Sequence, residues 1–473
     1  MLAATLTLIA IVATDQTALR AAPRDSAPAQ AMLWQGDSLE VRGEKGDFLQ
    51  VYDHRHERTG YLRASRVRQQ PLTPDSAPEL MAVLRFLKDM PGSESLGIAY
   101  ADAYLRAAPA EAIDGEVFDA LATLAERLAQ RASSARSGKA DEATAAHLEV
   151  AAAYGVIMTT LERDGQIRLC SDGEAARRVL ALSAKENQKA NAALMLTRHD
   201  CVKPTLTPAE RYGLDEWRAA VLDRVKLPSL PAVLKNRLHL RKAGVWAGLA
   251  HQRARRTGPG NPEVLEAARR ARDELAAVET GELMEGDAAA YNEAAIRVGA
   301  SRWAELPAAT AGTGKLDVQT RPGRPGETCV DLYRGGAAGG KPLASRCTYG
   351  IVWTSSASSH PKARALALAV QPLESWRELW VFREGDSGWT VDVIPPGMDS
   401  GDLGYVEYAG WVAGSDEMLV AREAKPEGRY QRSFEVVSLT TLEIRKHADK
   451  PANLGTFYRW QDPAWKTRTI ALR

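Results

Sequence analysis

The chain has 473 residues, too many for a single hydrophobic core, so two or three domains are expected. Its 61 Lys and Arg against 60 Asp and Glu leave a formal net charge of +1, so no global field favours nucleic acid or an anionic membrane as partner. Aromatics make up only 6% of residues, yet seven of the 11 Trp fall between Trp353 and Trp465, which points to a helical middle and a β-rich end.

The opening run MLAATLTLIAIVA has the length of a signal-peptide core and is short for a membrane span. It closes on the small residue Ala13, as signal peptidase requires, although no Lys or Arg precedes Arg20. Residues 1–13 are therefore expected to be a cleaved signal peptide, leaving a periplasmic or secreted product with no membrane span. The competing reading is an apolar first strand.

Residues 14–68 alternate in short runs, Leu39-Glu40-Val41 and Phe48-Leu49-Gln50-Val51-Tyr52, that put apolar side chains on one face. Gly36-Asp37, Gly43, Gly46-Asp47 and Thr59-Gly60 fall at turn positions. A small barrel of short strands is expected. Leu19-Arg20-Ala21-Ala22-Pro23, Gly36-Asp37-Ser38-Leu39-Glu40-Val41, Phe48 with Val51, and Thr59-Gly60-Tyr61-Leu62 together resemble the bacterial SH3-like (SH3b) domain family. Phe48 and Tyr61 stand where that family usually has tryptophan, and Ala18 where Asn is usual. The resemblance covers about a tenth of the chain. It implies an SH3-like β-barrel and a non-catalytic module that binds cell-wall peptide (peptidoglycan) or a protein partner. Trp34, Tyr52 and Tyr61 are the candidate ligand-binding residues, because SH3-like barrels set rings against extended peptides. The same rings could instead pack as core.

Arg68 to Ala77 reads as a proline-bearing linker, followed by a capping box at Ser76-Ala77-Pro78-Glu79. Leu80, Val83, Leu84 and Leu87 follow at helical spacing, and further helices are expected near 93–107, 114–132, 140–161, 173–183, 185–199, 207–224, 230–256, 262–279 and 286–303. Ala-rich faces permit close approach, as beside Val117, Leu121, Leu124 and Leu128, so 75–304 is expected to be an all-α helical array. No period near 34 residues recurs, which removes a TPR-type repeat.

Leu306 to Gly326 reads as a second linker, and 327–473 as an antiparallel β domain. Strands are expected at Cys329–Tyr333, Gly350–Trp353, Ala365–Val370, Glu378–Phe382, Trp389–Ile394, Tyr405–Val412, Met418–Ala421, Phe434–Ser438 and Thr467–Leu472. The segment GWVAGSDEMLVARE resembles a propeller blade of the Tol-associated or WD-like kind. Only two or three such units fit, whereas closed propellers need about four or more. The expected fold class is thus multidomain α+β, ending in propeller-blade-like or stacked sheets.

The four cysteines form two neighbouring pairs, and export would make Cys170–Cys201 and Cys329–Cys347 disulfides. Other connectivities stay open. No C-x₂-C or H-x₃-H spacing points to zinc, and no cofactor is expected.

Gly335 to Lys341 has phosphate-loop spacing, but Pro342 follows where Ser or Thr must bind magnesium, so a glycine hairpin is expected. Gly385-Asp386-Ser387-Gly388 echoes the nucleophile of trypsin-like proteases, without an upstream His motif, and reads as a hairpin turn. His199-Asp200-Cys201 are sequence neighbours that do not face one another on a helix end, which favours a disulfide Cys201 over a catalytic thiol. Asp53-His54-Arg55-His56 offers too few ligands for a metal and reads as a solvated turn. Arg253, Arg255 and Arg256, like Arg269, Arg270 and Arg272, lie near Glu266, Asp273 and Glu274, so charge-paired helix faces are expected.

These readings favour a non-catalytic envelope binding or scaffold protein, similar to the multi-domain SH3b proteins of proteobacterial envelopes. The alternative is a cell-wall hydrolase, or its accessory subunit, targeted by the SH3b module. Catalysis would require His, Cys or carboxylates converging in a cleft. A third reading, a ligand-binding propeller fragment, would require tryptophans lining a deep pocket.

Overall fold

The computed structural model describes residues 8–134, 141–163, 166–307, 315–335, 340–397 and 403–468. The chain divides into two compact units, one of residues 1–206 with 221–230, the other of 207–220 with 231–473. Neither follows the composition boundaries at 68, 75, 304 and 327, because the helical middle contributes to both.

The first unit opens with β1 (Leu8–Val12), β2 (Thr17–Arg20), β3 (Ala29–Leu33), β4 (Ser38–Lys45), β5 (Phe48–Asp53), β6 (Arg58–Arg63) and β7 (Val67–Pro71). They make one antiparallel sheet in the order β3-β2-β6-β5-β4-β1-β7. The path is open, so the sheet is not the closed barrel that the SH3b resemblance implies. Its core gathers Ala10, Val12, Leu19, Leu33, Leu39, Leu49, Val51, Leu62 and Val67. Gly60 is required where β2 meets β6, because a Cβ there would lie 2.6 Å from Leu19 Cδ1.

The segment expected to be a signal peptide supplies β1, paired with β4 on one side and β7 on the other. Ala10 and Val12 face the sheet core, while Ile9 and Ile11 enter the helical core. A strand buried on both faces is apolar at every position, and so is a signal-peptide core.

The helical part comprises α1 (Ala77–Lys88), α2 (Glu94–Ala107), α3 (Gly115–Ser133), α4 (Glu142–Ala153), α5 (Glu174–Ala181) and α6 (Glu186–Leu196). Leu84, Ile98, Val117, Leu124, Leu128 and Val179 centre its core. The Ser76 hydroxyl does not cap α1; it lies 2.5 Å from the Pro71 carbonyl and 2.7 Å from that of Thr73. Helix α4 stops short of the predicted 161, since Gly155 follows at φ +80° and reverses the chain. A hairpin replaces the rest, β8 (Met158–Arg163) with β9 (Gln166–Ser171), so the middle of the chain is not all-α. Cys170 on β9 bonds Cys201, their Cα atoms 5.9 Å apart.

Helix α7 (Pro208–Asp223) leads into the second unit's α8 (Ala232–Thr257), α9 (Pro262–Ala276) and α10 (Ala288–Ser301). Three strands follow, β10 (Leu316–Pro322), β11 (Thr328–Arg334) and β12 (Ala344–Thr348), with Cys329 opposite Cys347 and the two disulfide-bonded. Strand β10 occupies part of the predicted linker. The remaining strands are β13 (Ile351–Ser359), β14 (Ala365–Leu373), β15 (Trp376–Gly385), β16 (Gly388–Ile394), β17 (Gly404–Trp411), β18 (Glu417–Ala424), β19 (Gln431–Ser438) and β20 (Ile444–Ala448).

Strands β13–β16 and β17–β20 are two antiparallel meanders joined by a short parallel pairing of β15 with β17. They bury Leu379, Val381, Val406, Met418 and Val420 in a shared core. Strands β10 and β11 cover the first meander through Val318, Leu332, Leu368 and Phe382. The second meander packs on α10, α11 (Gly455–Trp460) and α12 (Pro463–Arg468) through Ile296, Phe434, Phe457 and Trp465. The sheets stack without closing a propeller. Thr467 and Arg468 end α12 and not the predicted last strand, whose remaining residues lie outside those described. Among the described residues, no helix is long and apolar enough to cross a membrane.

Candidate functional site

Alternation along β4, β5 and β6 sends Leu39, Leu49, Val51 and Leu62 into the sheet core and Glu40, Gln50, Tyr52 and Tyr61 to the opposite face. The register sets Glu40 against Tyr52 and Gln50 against Tyr61, with Tyr52 opposite Thr59. Tyr52 and Tyr61 are therefore diagonal neighbours, the two half-buried rings of one surface. A register shift between Val41 and Gly43 leaves Arg42 unpaired in β4, and its guanidinium sits 4.0 Å from the Tyr52 ring centre. Lys45 lies 5.6 Å from the Tyr61 ring centre and 3.5 Å from its hydroxyl.

His54 stacks edge-on to Tyr52 at 4.7 Å, and its Nε2 is 2.6 Å from Glu40 Oε2. Hydrogen bonds from His54 and then Arg42 hold the Glu40 carboxyl below the usual carboxylate range. The surface thus presents two ring edges and their hydroxyls among cationic N–H donors, with one carboxylate already paired. Such a surface suits an extended chain carrying carboxylates.

Trp34 is not on this surface. It follows β3, its N–H bonds Asp37 Oδ2 at 2.8 Å, and its ring meets His147 of α4 edge-on at 6.5 Å. His147 is 2.8 Å from Asp15 through Nε2 and 2.6 Å from Arg131 through Nδ1. Arg131 and Arg127 both hold Glu94, at 2.5 and 2.6 Å. With both ring nitrogens engaged, His147 fastens the sheet to the helices. Local periodicity could not show this, because Asp15 and His147 are 132 residues apart.

The other sequence candidates resolve separately. His56 Nδ1 is 2.8 Å from buried Asp53, whereas His54 turns to Glu40, so the two imidazoles do not converge. Burial pushes the Asp53 carboxyl up, but bonds from His56 and Arg58 outweigh it and hold it below its ordinary range. Cys201 is disulfide-bonded, leaving no thiol beside His199, and Asp200 pairs with Arg198 and Arg168. Gly385 and Gly388 face each other across the β15–β16 hairpin, which puts Asp386 and Ser387 in its turn. Residues 336–339 of the glycine loop lie outside those described; its flanks connect β11 to β12. In the basic runs, Arg253 pairs with Glu216, Arg269 with Glu266 and Arg272 with Glu305. Trp353, Trp376, Trp380 and Trp465 are buried as packing residues.

The second unit holds two buried charge networks that the sequence did not reveal. Asp215 accepts from Arg211, Arg218 and Gln252 at 2.7, 2.5 and 2.7 Å, and Arg211 also reaches Glu374 at 2.9 Å. Gly248 makes room for Glu374, since a Cβ would lie 2.8 Å from its Oε1. In the other network Glu407 is held by Arg377, by Arg302 at 2.7 Å and by Trp465 Nε1 at 3.2 Å. Beside it, burial pushes the Glu423 carboxyl up, against hydroxyl donation from Tyr430 and Tyr405. Buried carboxylates engaged in this way hold elements together.

Compared with known proteins, the chain matches no family model, no curated protein and no solved structure.

Proposed function

We propose that this is a non-catalytic binding protein of the cell envelope, whose N-terminal sheet takes an extended, carboxylate-bearing peptide of the cell wall or of a protein. The observation that carries this reading is the shared surface of Tyr52 and Tyr61 with Arg42 and Lys45 beside them. Two disulfides agree with an oxidising compartment. The test is co-sedimentation of the full chain with peptidoglycan sacculi, comparing the parent with the double variant Tyr52→Ala/Tyr61→Ala. Truncating two anchoring rings is expected to weaken retention about tenfold or more, with the far-UV circular dichroism unchanged. Equal retention of both proteins rejects this surface as the binding site.

A further inference from the structure

We propose that Glu327, Cys329 and Cys347 form a redox-gated site for a thiophilic divalent cation of the zinc type, closed while the two sulfurs are bonded and opened by their reduction. The inference concerns the second unit alone and does not depend on the binding surface of the first.

The geometry is built by a tight turn and two neighbouring strands. Between β10 and β11 the Gly323 N–H bonds the Glu327 carbonyl at 3.0 Å, and the Glu327 N–H bonds the Arg324 carbonyl at 2.8 Å. The Arg324 N–H donates to Glu327 Oε2 at 2.9 Å, which turns the carboxylate back over the start of β11. Gly323 leaves the space for it: a Cβ there would lie 2.5 Å from Glu327 Oε2 and 3.0 Å from Cys329 Sγ. Across the ladder Cys329 faces Cys347. One carboxylate oxygen and both sulfurs fall within 4.8 Å of one another. Among the described residues, no third donor joins Cys170 and Cys201 in this way.

Tetrahedral zinc, with bonds of about 2.3 Å to sulfur and about 2.0–2.2 Å to oxygen, holds its donors between roughly 3.5 and 4 Å apart. The two sulfurs separate by rotation of solvent-accessible Cys347, and the carboxylate oxygen starts within 4.8 Å of both. Three protein donors leave a fourth position for water or a ligand, the pattern of an open site. The missing C-x₂-C spacing follows from this layout, in which one donor comes from a turn and the others from opposed strands.

Opening the site takes two electrons and two protons. A small dithiol attacks Cys347, the accessible sulfur, and Cys329 leaves as thiolate and takes a proton. The second sulfur of the reductant then displaces Cys347 and closes the reductant's own disulfide. In the reduced state two thiols and a carboxylate crowd one point. A divalent cation displaces both thiol protons to solvent and offsets the repulsion among three anionic donors.

The test uses the full chain, reduced by a water-soluble phosphine, which becomes its oxide with oxygen from water, and titrated with Co²⁺ as the probe. One cobalt per chain with a near-ultraviolet thiolate charge-transfer band, displaced by Zn²⁺, is the expected result. Cys347→Ser should abolish the band. Glu327→Gln should weaken cobalt affinity about tenfold or more, with the oxidised protein's circular dichroism and its Cys329–Cys347 bond unchanged. A reduced chain that shows no band overturns the proposal, as does one that loses its native circular dichroism. A band that survives both substitutions also overturns it, because the metal would then sit at Cys170 and Cys201.

Discussion

His251 sits in α8 with burial on all sides, and neither ring nitrogen has a hydrogen-bond partner. Burial first, then the charges of Arg255 and Arg211, push its pKa down to about 3. An unfolded histidine titrates near 6.5, so below that pH the unfolded chain binds a proton that the native state refuses. This group's contribution to stability is therefore complete above pH 6.5 and declines as pH falls toward 3, by about 1.4 kcal/mol per pH unit. Denaturant unfolding of the parent and His251→Leu at pH 7 and pH 4.5 should show the gap shifting by about 2–3 kcal/mol in favour of the variant at the lower pH. A gap that stays constant would show that the imidazole is solvated. Sequence could not single out this histidine: its neighbours Ala250 and Gln252 mark nothing unusual, and its isolation comes from packing. For Tyr52 and Tyr61 period-two alternation gave the shared strand face, while the choice between ligand surface and core stayed open in the sequence. For Trp34 neither was legible, since its setting depends on His147.

Among the elements, β1 carries the sharpest consequence. A chain beginning at Thr14 lacks the strand between β4 and β7 and loses Ile9 and Ile11 from the helical core. Each fully buried Val or Ile side chain is worth about 1.5–3 kcal/mol, and three of them, Ile9, Ile11 and Val12, are lost together with Ala10 and two ladders of hydrogen bonds. Expressed from Thr14, the protein should lack a cooperative unfolding transition for its first unit, whereas a chain beginning at Met1 should show one. Cooperative unfolding of the shorter chain would mean that β1 is dispensable. Most strands and helices were readable from alternation and from 3.6-residue spacing, and the GDSG hairpin from its glycines. Two ambiguous segments share a cause. Leu8–Val12 and Met158–Arg163 are short segments whose apolar spacing fits two structures, and only their strand partners choose between them. For β8 that partner is β9, the next strand, where a helix over 140–161 was expected to continue.

For the molecule as a whole, the division into units crosses the chain three times. Residues 221–230 group with the first unit, where Val221, Leu222 and Val225 are buried and the Lys226 N–H bonds Glu186. A fragment ending at Leu206 should accordingly be less stable than one ending at Leu230. Urea unfolding followed by circular dichroism should separate them by a few kcal/mol, since three buried aliphatic side chains are at stake. Coincident curves would mean that the added stretch takes no part in that unit. Composition could not foresee this division, because the shift it detects near residue 306 separates helix from strand and says nothing about which helices keep company.

Helix α7 begins in one unit and ends in the other. During synthesis the ribosome must therefore carry on past Leu230 before the earlier half possesses all its polypeptide, and by then the opening stretch of the later half has already emerged. The nascent protein cannot be finished one half at a time.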